Sequence, residues 1–281
     1  MDGPGYGPCD VDYYIDCLRR ESESLAAAAQ RAGLDAAVPA CPGWQVRDLL
    51  KHLGYVHRWA TDYVRDQQPS WVDRASETEI LGDGPPDADL DGWFRAGHAA
   101  LVRTLAAAGP GMTCWTFLEA PSPLAFWARR QAHETAVHRV DAEQAAANAA
   151  GEGPAGEGPA GDGHAASAAG LAPRFAADGV GELIMGFVGR SAKRGTWAGP
   201  PGCLAIHADD GAEGTAHWRV DAAPGSLTVS RGAGPTDCDV TGPAADLYLL
   251  LWNRRGTSGL DVRGDANLLA GFAEQSRVMW A

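Results

Sequence analysis

The stretch Gln45–Asp66, QVRDLLKHLGYVHRWATDYVRD, decides how the chain is read. Val46, Leu49, Leu50, Leu53, Val56, Ala60 and Tyr63 recur at the spacing that gathers apolar side chains on one face of an α-helix. A helix with one apolar face needs partners to cover it. The turn Cys41-Pro42-Gly43-Trp44 introduces this helix. Upstream, Val11–Ala32 contains neither proline nor glycine and is rich in Ala, Leu, Glu and Arg, which predicts a long helix. Downstream, the proline- and glycine-containing stretch Leu81–Ala88 precedes a third helical segment, Asp89–Ala108, and a fourth follows over Ser122–Ala146. Four long helices joined by loops predict a four-helix bundle over residues 1–146.

The character then changes. Residues 147–168 contain GEGPA-GEGPA-GDGHA (151–165), a period-five repeat of small and acidic residues. It has too little apolar surface to bury, so a flexible linker is expected. His164 within it is expected to be solvated and is given no role. In residues 169–281, Pro173–Ala177 and Val180–Val188 read as helical, with Pro173 tolerated in a first turn. Short alternating runs at Cys203–His207, His217–Val220, Leu227–Ser230 and Asp237–Val240 read as strands of an antiparallel sheet. Helices over Ala244–Trp252 and Ala266–Ser276 close the chain. The expected fold class is thus mixed: an all-α bundle followed by a small α+β domain.

Bulk properties narrow the function. Of 281 residues, 45% are hydrophobic, enough for a core in each part. No apolar run approaches the length of a membrane span, and the N-terminus lacks the basic-then-apolar pattern of a secretion signal. A cytoplasmic protein is expected. The formal charge of −13 repels phosphate backbones and anionic lipid, which argues against nucleic acid and membrane as partners. The six cysteines form no C-x-x-C pair, so zinc-ribbon and thioredoxin-like readings fail and reduced thiols are expected. Cys41 has no identifiable base and reads as structural.

Chemistry concentrates in the fourth helix. Glu134 and His138 stand four residues apart and project the same way, sharing a face with Leu124, Trp127, Gln131 and Thr135. A face mixing tryptophan and leucine with a glutamate and a histidine is either solvated or satisfied by a partner, and a cation would satisfy both groups. Imidazole and carboxylate suit zinc or a similar divalent ion. His133 lies off this face, so the H-E-x-x-x-H spacing is not the H-E-x-x-H of zinc proteases, and Glu134 reads as a ligand. Glu/His pairs at this spacing are also ordinary helix stabilisers, so the pair alone does not specify a metal. A third ligand must come from another helix. The second helix offers His52 and His57, at opposite edges of its apolar stripe, and periodicity does not choose between them.

The stretches VPACPGWQVRDLLKHLGYVHRW (Val38–Trp59) and RRQAHETAVHRVDAEQA (Arg129–Ala145) resemble the mycothiol-dependent maleylpyruvate isomerase family. That family belongs to the larger DinB-like superfamily of four-helix metal proteins. The resemblance implies a metal held by His52, after the P-G-W turn, with Glu134 and His138. It extends to LAPRFAADGVGELIMGFV (Leu171–Val188) and VTGPAADLYLLLWNRRG (Val240–Gly256), and it implies a sterol-carrier-like second domain. The chain departs from the family pattern at Gln45, where a small hydroxyl residue is usual, in its longer linker, and at Trp252-Asn253-Arg254-Arg255.

The resemblance further implies mycothiol as thiol cofactor beside the metal, a zinc-type divalent ion. It implies a cis–trans isomerisation in which thiolate adds to a conjugated double bond, rotation occurs and elimination follows. Arg255, or Arg254 as its alternate, aligns with the family's functional arginine, suited to gripping an anionic cofactor or substrate. Trp127 is expected beside the metal pocket as a cofactor contact. The expected partners are a small-molecule thiol and an anionic or electrophilic small molecule. Two other functions fit the same residues: a mycothiol S-transferase acting on an electrophile, and a non-catalytic metal-dependent binding or regulatory protein.

Overall fold

The structure is a computed structural model and describes residues 9–71, 84–151, 170–195, 197–210, 215–232 and 234–278. The chain divides into two compact units, one built on Asp10–Pro159 and the other on Ala160–Trp280.

The first unit consists of α1 (Val11–Ala32), α2 (Val46–Arg65), α3 (Asp87–Ala107) and α4 (Pro123–Ala149). Their starts follow from local chemistry. The Asp10 carboxylate accepts the Tyr13 amide at 2.7 Å, and the Ser122 hydroxyl accepts the Ala125 amide at 3.1 Å ahead of Pro123. At α2, Gln45 stands in the cap position without a short hydroxyl, and the Asp48 carboxylate accepts the Gln45 amide at 2.9 Å. α4 runs on through Ala147, Asn148 and Ala149, residues expected in the linker. Beyond Gly151 the acidic repeat lies outside the described residues.

Around the bundle the helices neighbour one another in the order α1, α4, α2, α3, so α1 faces α2 across the core and α3 faces α4. Leu25 and Ala29 of α1, Leu49, Leu50 and Leu53 of α2, Leu90 and Phe94 of α3, and Ala142 and Ala145 of α4 meet in one apolar cluster. Two glycines let α2 and α3 approach. A methyl group at Gly54 would run into the Trp93 ring, and one at Gly97 would run into the Arg58 guanidinium. Arg58 in turn lies 3.8 Å over the Trp93 ring.

The second unit begins with α5 (Pro173–Gly181), which continues through a π-helical stretch at Glu182–Val188 into α6 (Gly189–Arg194). Gly195, at φ 64°, ends the run in the left-handed conformation glycine adopts without strain. The five-stranded sheet of the described residues comprises β1 (Gly202–Asp209), β2 (Thr215–Ala223), β3 (Ser226–Arg231), β4 (Cys238–Gly242) and β5 (Asp261–Gly264), with α7 (Ala244–Leu251) and α8 (Ala266–Gln275). Its order is β3-β2-β1-β4-β5.

The sheet is mixed and not purely antiparallel as expected, because β1 pairs β4 in parallel. After the β2–β3 excursion on one side, the chain returns to the other side of β1 and runs in its direction. The edge strand β5 was not anticipated. Asp-Val-Arg-Gly is short and mostly polar, and it gains strand structure by pairing with β4. Leu204, Ile206, Ala208, Trp218, Val220 and Val240 are buried, and α7 and α8 pack against β1 and β4.

Candidate metal centre

α4 is buried along almost its whole length, yet it carries Arg130, Gln131, His133, Glu134, Thr135, His138, Arg139, Asp141 and Gln144 into the interior. Polar groups there are costly unless they satisfy one another. They do so in distinct sets. Arg139 donates to Glu21 of α1 at 2.8 Å and to Glu143 at 2.6 Å. The Thr135 hydroxyl lies 3.0 Å from His57 Nε2. A third set surrounds Glu134.

In that set, His52 Nε2 lies 3.2 Å from Glu134 Oε1, and His138 Nε2 lies 3.5 Å from the same oxygen. All three side chains are buried, and their donor atoms lie within 4.8 Å of one another. Arg130, one turn before Glu134, donates to its other oxygen, Oε2, at 2.9 Å. Asp141, one turn after His138, sits 2.7 Å from His138 Nδ1. Trp44, from the P-G-W turn, stacks on the His138 ring (centroids 6.2 Å apart, planes at 20°) and tilts against His52 (5.1 Å, 55°). Burial pushes the Glu134 carboxyl up. The neighbouring His138 and His52 rings, and the charge of Arg130, outweigh it and hold the group well below the usual carboxylate range.

These residues fit a divalent cation. With both imidazoles neutral, Arg130, Glu134 and Asp141 leave one net negative charge in a buried site. Two imidazole nitrogens and a carboxylate oxygen converge there, the donor set of catalytic zinc centres, which leave one position to an exogenous ligand.

The other sequence-predicted residues lie elsewhere. His57 is buried against Thr135 and the Phe94 ring, and burial, then neighbouring His98, holds its pKa well below the usual imidazole value. His133 meets the Tyr14 ring edge-on. Trp127 is fully buried among Trp59, Tyr63, Phe117 and Phe126, and its Nε1 donates to the Trp115 carbonyl at 3.1 Å. The tryptophan against the histidines is Trp44. In the second unit, Arg255 is ion-paired with Asp246 and hydrogen-bonded to the Ser258 carbonyl, while Arg254 donates to the Trp252 carbonyl at 2.7 Å.

Sequence reasoning missed Arg130, Asp141 and Trp44. Each had a signal: a charge one turn to either side of the Glu134/His138 pair, and a tryptophan in the turn that introduces the helix of His52.

The first unit is therefore a four-helix bundle with a buried two-histidine, one-glutamate cluster, in a chain that also carries an α+β unit. Residues 15–143 match the mycothiol maleylpyruvate isomerase N-terminal domain, and residues 174–271 match the C-terminal domain of the same family. The chain belongs to the mycothiol maleylpyruvate isomerase family. Its fold is similar to the crystal structure of the mycothiol-dependent maleylpyruvate isomerase, with TM-score 0.60 and 13% identity over 93% of this chain and 95% of that one. A histidine-to-alanine mutant of that enzyme matches with the same TM-score at 14% identity. No curated protein matches the sequence significantly.

Proposed function

We propose that the chain is a metal-dependent enzyme that uses mycothiol to isomerise a cis double bond of the maleylpyruvate type. The observation that carries this reading is the convergence of His52, Glu134 and His138 in one buried cluster, in a chain that matches both domains of the family. His52 and His138 would hold the ion through Nε2 and Glu134 through Oε1. When bound, a zinc-type ion supplies Lewis acidity that lowers the pKa of a coordinated thiol, and mycothiol supplies the sulfur nucleophile. Arg130 occupies Glu134 Oε2 and so keeps the carboxylate to a single donor oxygen. Trp44 packs against both imidazoles, stacked on His138 and tilted against His52. No helix of the described residues is long and apolar enough to cross a membrane, and no disulfide joins the six cysteines.

One observation favours a second reading, mycothiol S-transfer to an electrophile. The guanidinium of Arg255, expected to grip a substrate carboxylate, is already paired with Asp246. A substrate without the carboxylates of maleylpyruvate would not need it. The test gives metal-loaded protein and mycothiol first maleylpyruvate, then a panel of electrophiles. Trans isomer with the thiol recovered supports the isomerase, and a stable thioether supports the transferase. Turnover undiminished without thiol sinks both, and failure to bind thiol points to a binding or regulatory protein.

A further inference from the structure

We propose that Asp141 is a positioning residue for the metal centre: its carboxylate fixes the tautomer and ring orientation of His138, so that Nε2 presents a lone pair to the donor cluster. The inference rests on the metal-site reading above and assigns a role to a residue outside the ligand set.

A neutral imidazole carries one N–H, and the group bonded to one ring nitrogen decides where that proton sits. Asp141 Oδ2 lies 2.7 Å from His138 Nδ1, and the aspartate is completely buried. Both ring nitrogens face a carboxylate oxygen, Nδ1 at 2.7 Å and Nε2 at 3.5 Å, so the single proton of a neutral His138 belongs on Nδ1, at the shorter contact, and the lone pair on Nε2. Nε2 is the nitrogen that faces Glu134 Oε1 at 3.5 Å, beside the His52 ring, whose centroid is 5.1 Å away. The opposite tautomer would set the Nδ1 lone pair against the carboxylate and push a proton into the cluster.

The aspartate is itself held. It sits at i,i+3 from His138 on the same rigid helix, and the Cys41 thiol donates to Oδ2 at 3.7 Å. The turn that places Trp44 on the imidazole thus also touches the group that orients it. Carboxylates bonded to the far nitrogen of a ligand histidine commonly change metal affinity about 10- to 100-fold.

The test compares zinc affinity, by competition with a chromophoric chelator, among the full-length unaltered chain, Asp141→Ala, Asp141→Asn and Glu21→Gln. Glu21→Gln weakens a different buried ion pair to α4, with Arg139, and controls for a general loss of stability. Asp141→Ala is expected to bind zinc about 10- to 100-fold more weakly. Asp141→Asn should lose less, because its amide oxygen still accepts from Nδ1–H, and Glu21→Gln should bind as the unaltered chain does. Zinc affinity of Asp141→Ala within twofold of the unaltered chain overturns the inference.

Should Asp141→Ala fail to fold, ¹⁵N-resolved NMR of the histidines in the unaltered, metal-free chain decides instead. A proton on His138 Nδ1 supports the inference, and an unprotonated Nδ1 overturns it. Failure of the unaltered chain to bind zinc would sink the metal-site reading, while the tautomer would still decide what Asp141 does.

Discussion

At the residue scale, the informative comparison is between His52 and His57. Both are buried on α2, and their positions on its apolar stripe are equivalent by periodicity. What separates them is what α4 presents: a carboxylate to His52 and a hydroxyl to His57. Replacing His52, Glu134 or His138 by alanine should leave at most a small fraction of the metal found in the unaltered protein. His57→Ala and His133→Ala should keep it, as read by elemental analysis of the purified chains. A metal-free His57→Ala beside a metal-loaded His52→Ala would reverse the assignment. His98 carries a separate prediction. Burial, then Arg19 and Arg95, lowers its pKa from 6.5 to about 4, and its Nδ1 lies 2.8 Å from the Ser22 hydroxyl. Between those values the unfolded chain binds a proton that the folded chain does not. Stability should therefore fall as the pH drops from about 6.5 toward 4, by up to about 1.4 kcal/mol per pH unit from this group. Urea unfolding of His98→Gln across that range should show a shallower acid-side loss, and an unchanged slope would clear His98 of the effect.

At the scale of elements, the helices were legible because their apolar spacing and caps agree. α1 spans the predicted residues, and α2 begins and ends within a residue of them. The Glu134/His138 pair was legible as a pair, but its partners Arg130 and Asp141 were not. A buried helix and a solvated one carry the same charges in sequence, and only the neighbours on all sides of α4 show which is which. The sheet was read less well. A parallel pairing between β1 and β4 depends on where the chain returns, which strand composition does not encode, and β5 lacks the alternation that marks a strand. Helix packing was not legible at all. Nothing in the spacing of Gly54 announces that it receives Trp93. Gly54→Ala should force that ring and the Arg58 stacked on it to move, at a cost of about 1–3 kcal/mol. The check is a lowered Tm in a variant that still binds metal. A Tm equal to or above that of the unaltered protein would mean that Trp93 repacks freely.

At the scale of the molecule, the two units divide the chemistry unevenly. Every residue of the candidate centre, from Trp44 to Asp141, belongs to the helical unit. An excised chain of residues 10–151 should therefore fold as a helical protein by circular dichroism and bind one divalent ion with an affinity close to that of the whole. Loss of binding on excision would show that the second unit supports the centre. The ligands themselves come from α2 and α4, side by side in the bundle but more than 80 residues apart in the chain, as the separation of 82 between His52 and Glu134 shows. An ion shared by these two helices would act as a removable clasp closing a loop of that length, and it would count only in the folded chain. A hundredfold excess of free metal over its dissociation constant would then add about 2.7 kcal/mol to the stability of the fold. The melting curve of this protein would be a titration of its metal, and preparations made with and without chelator would differ in lifetime before they were ever assayed for turnover.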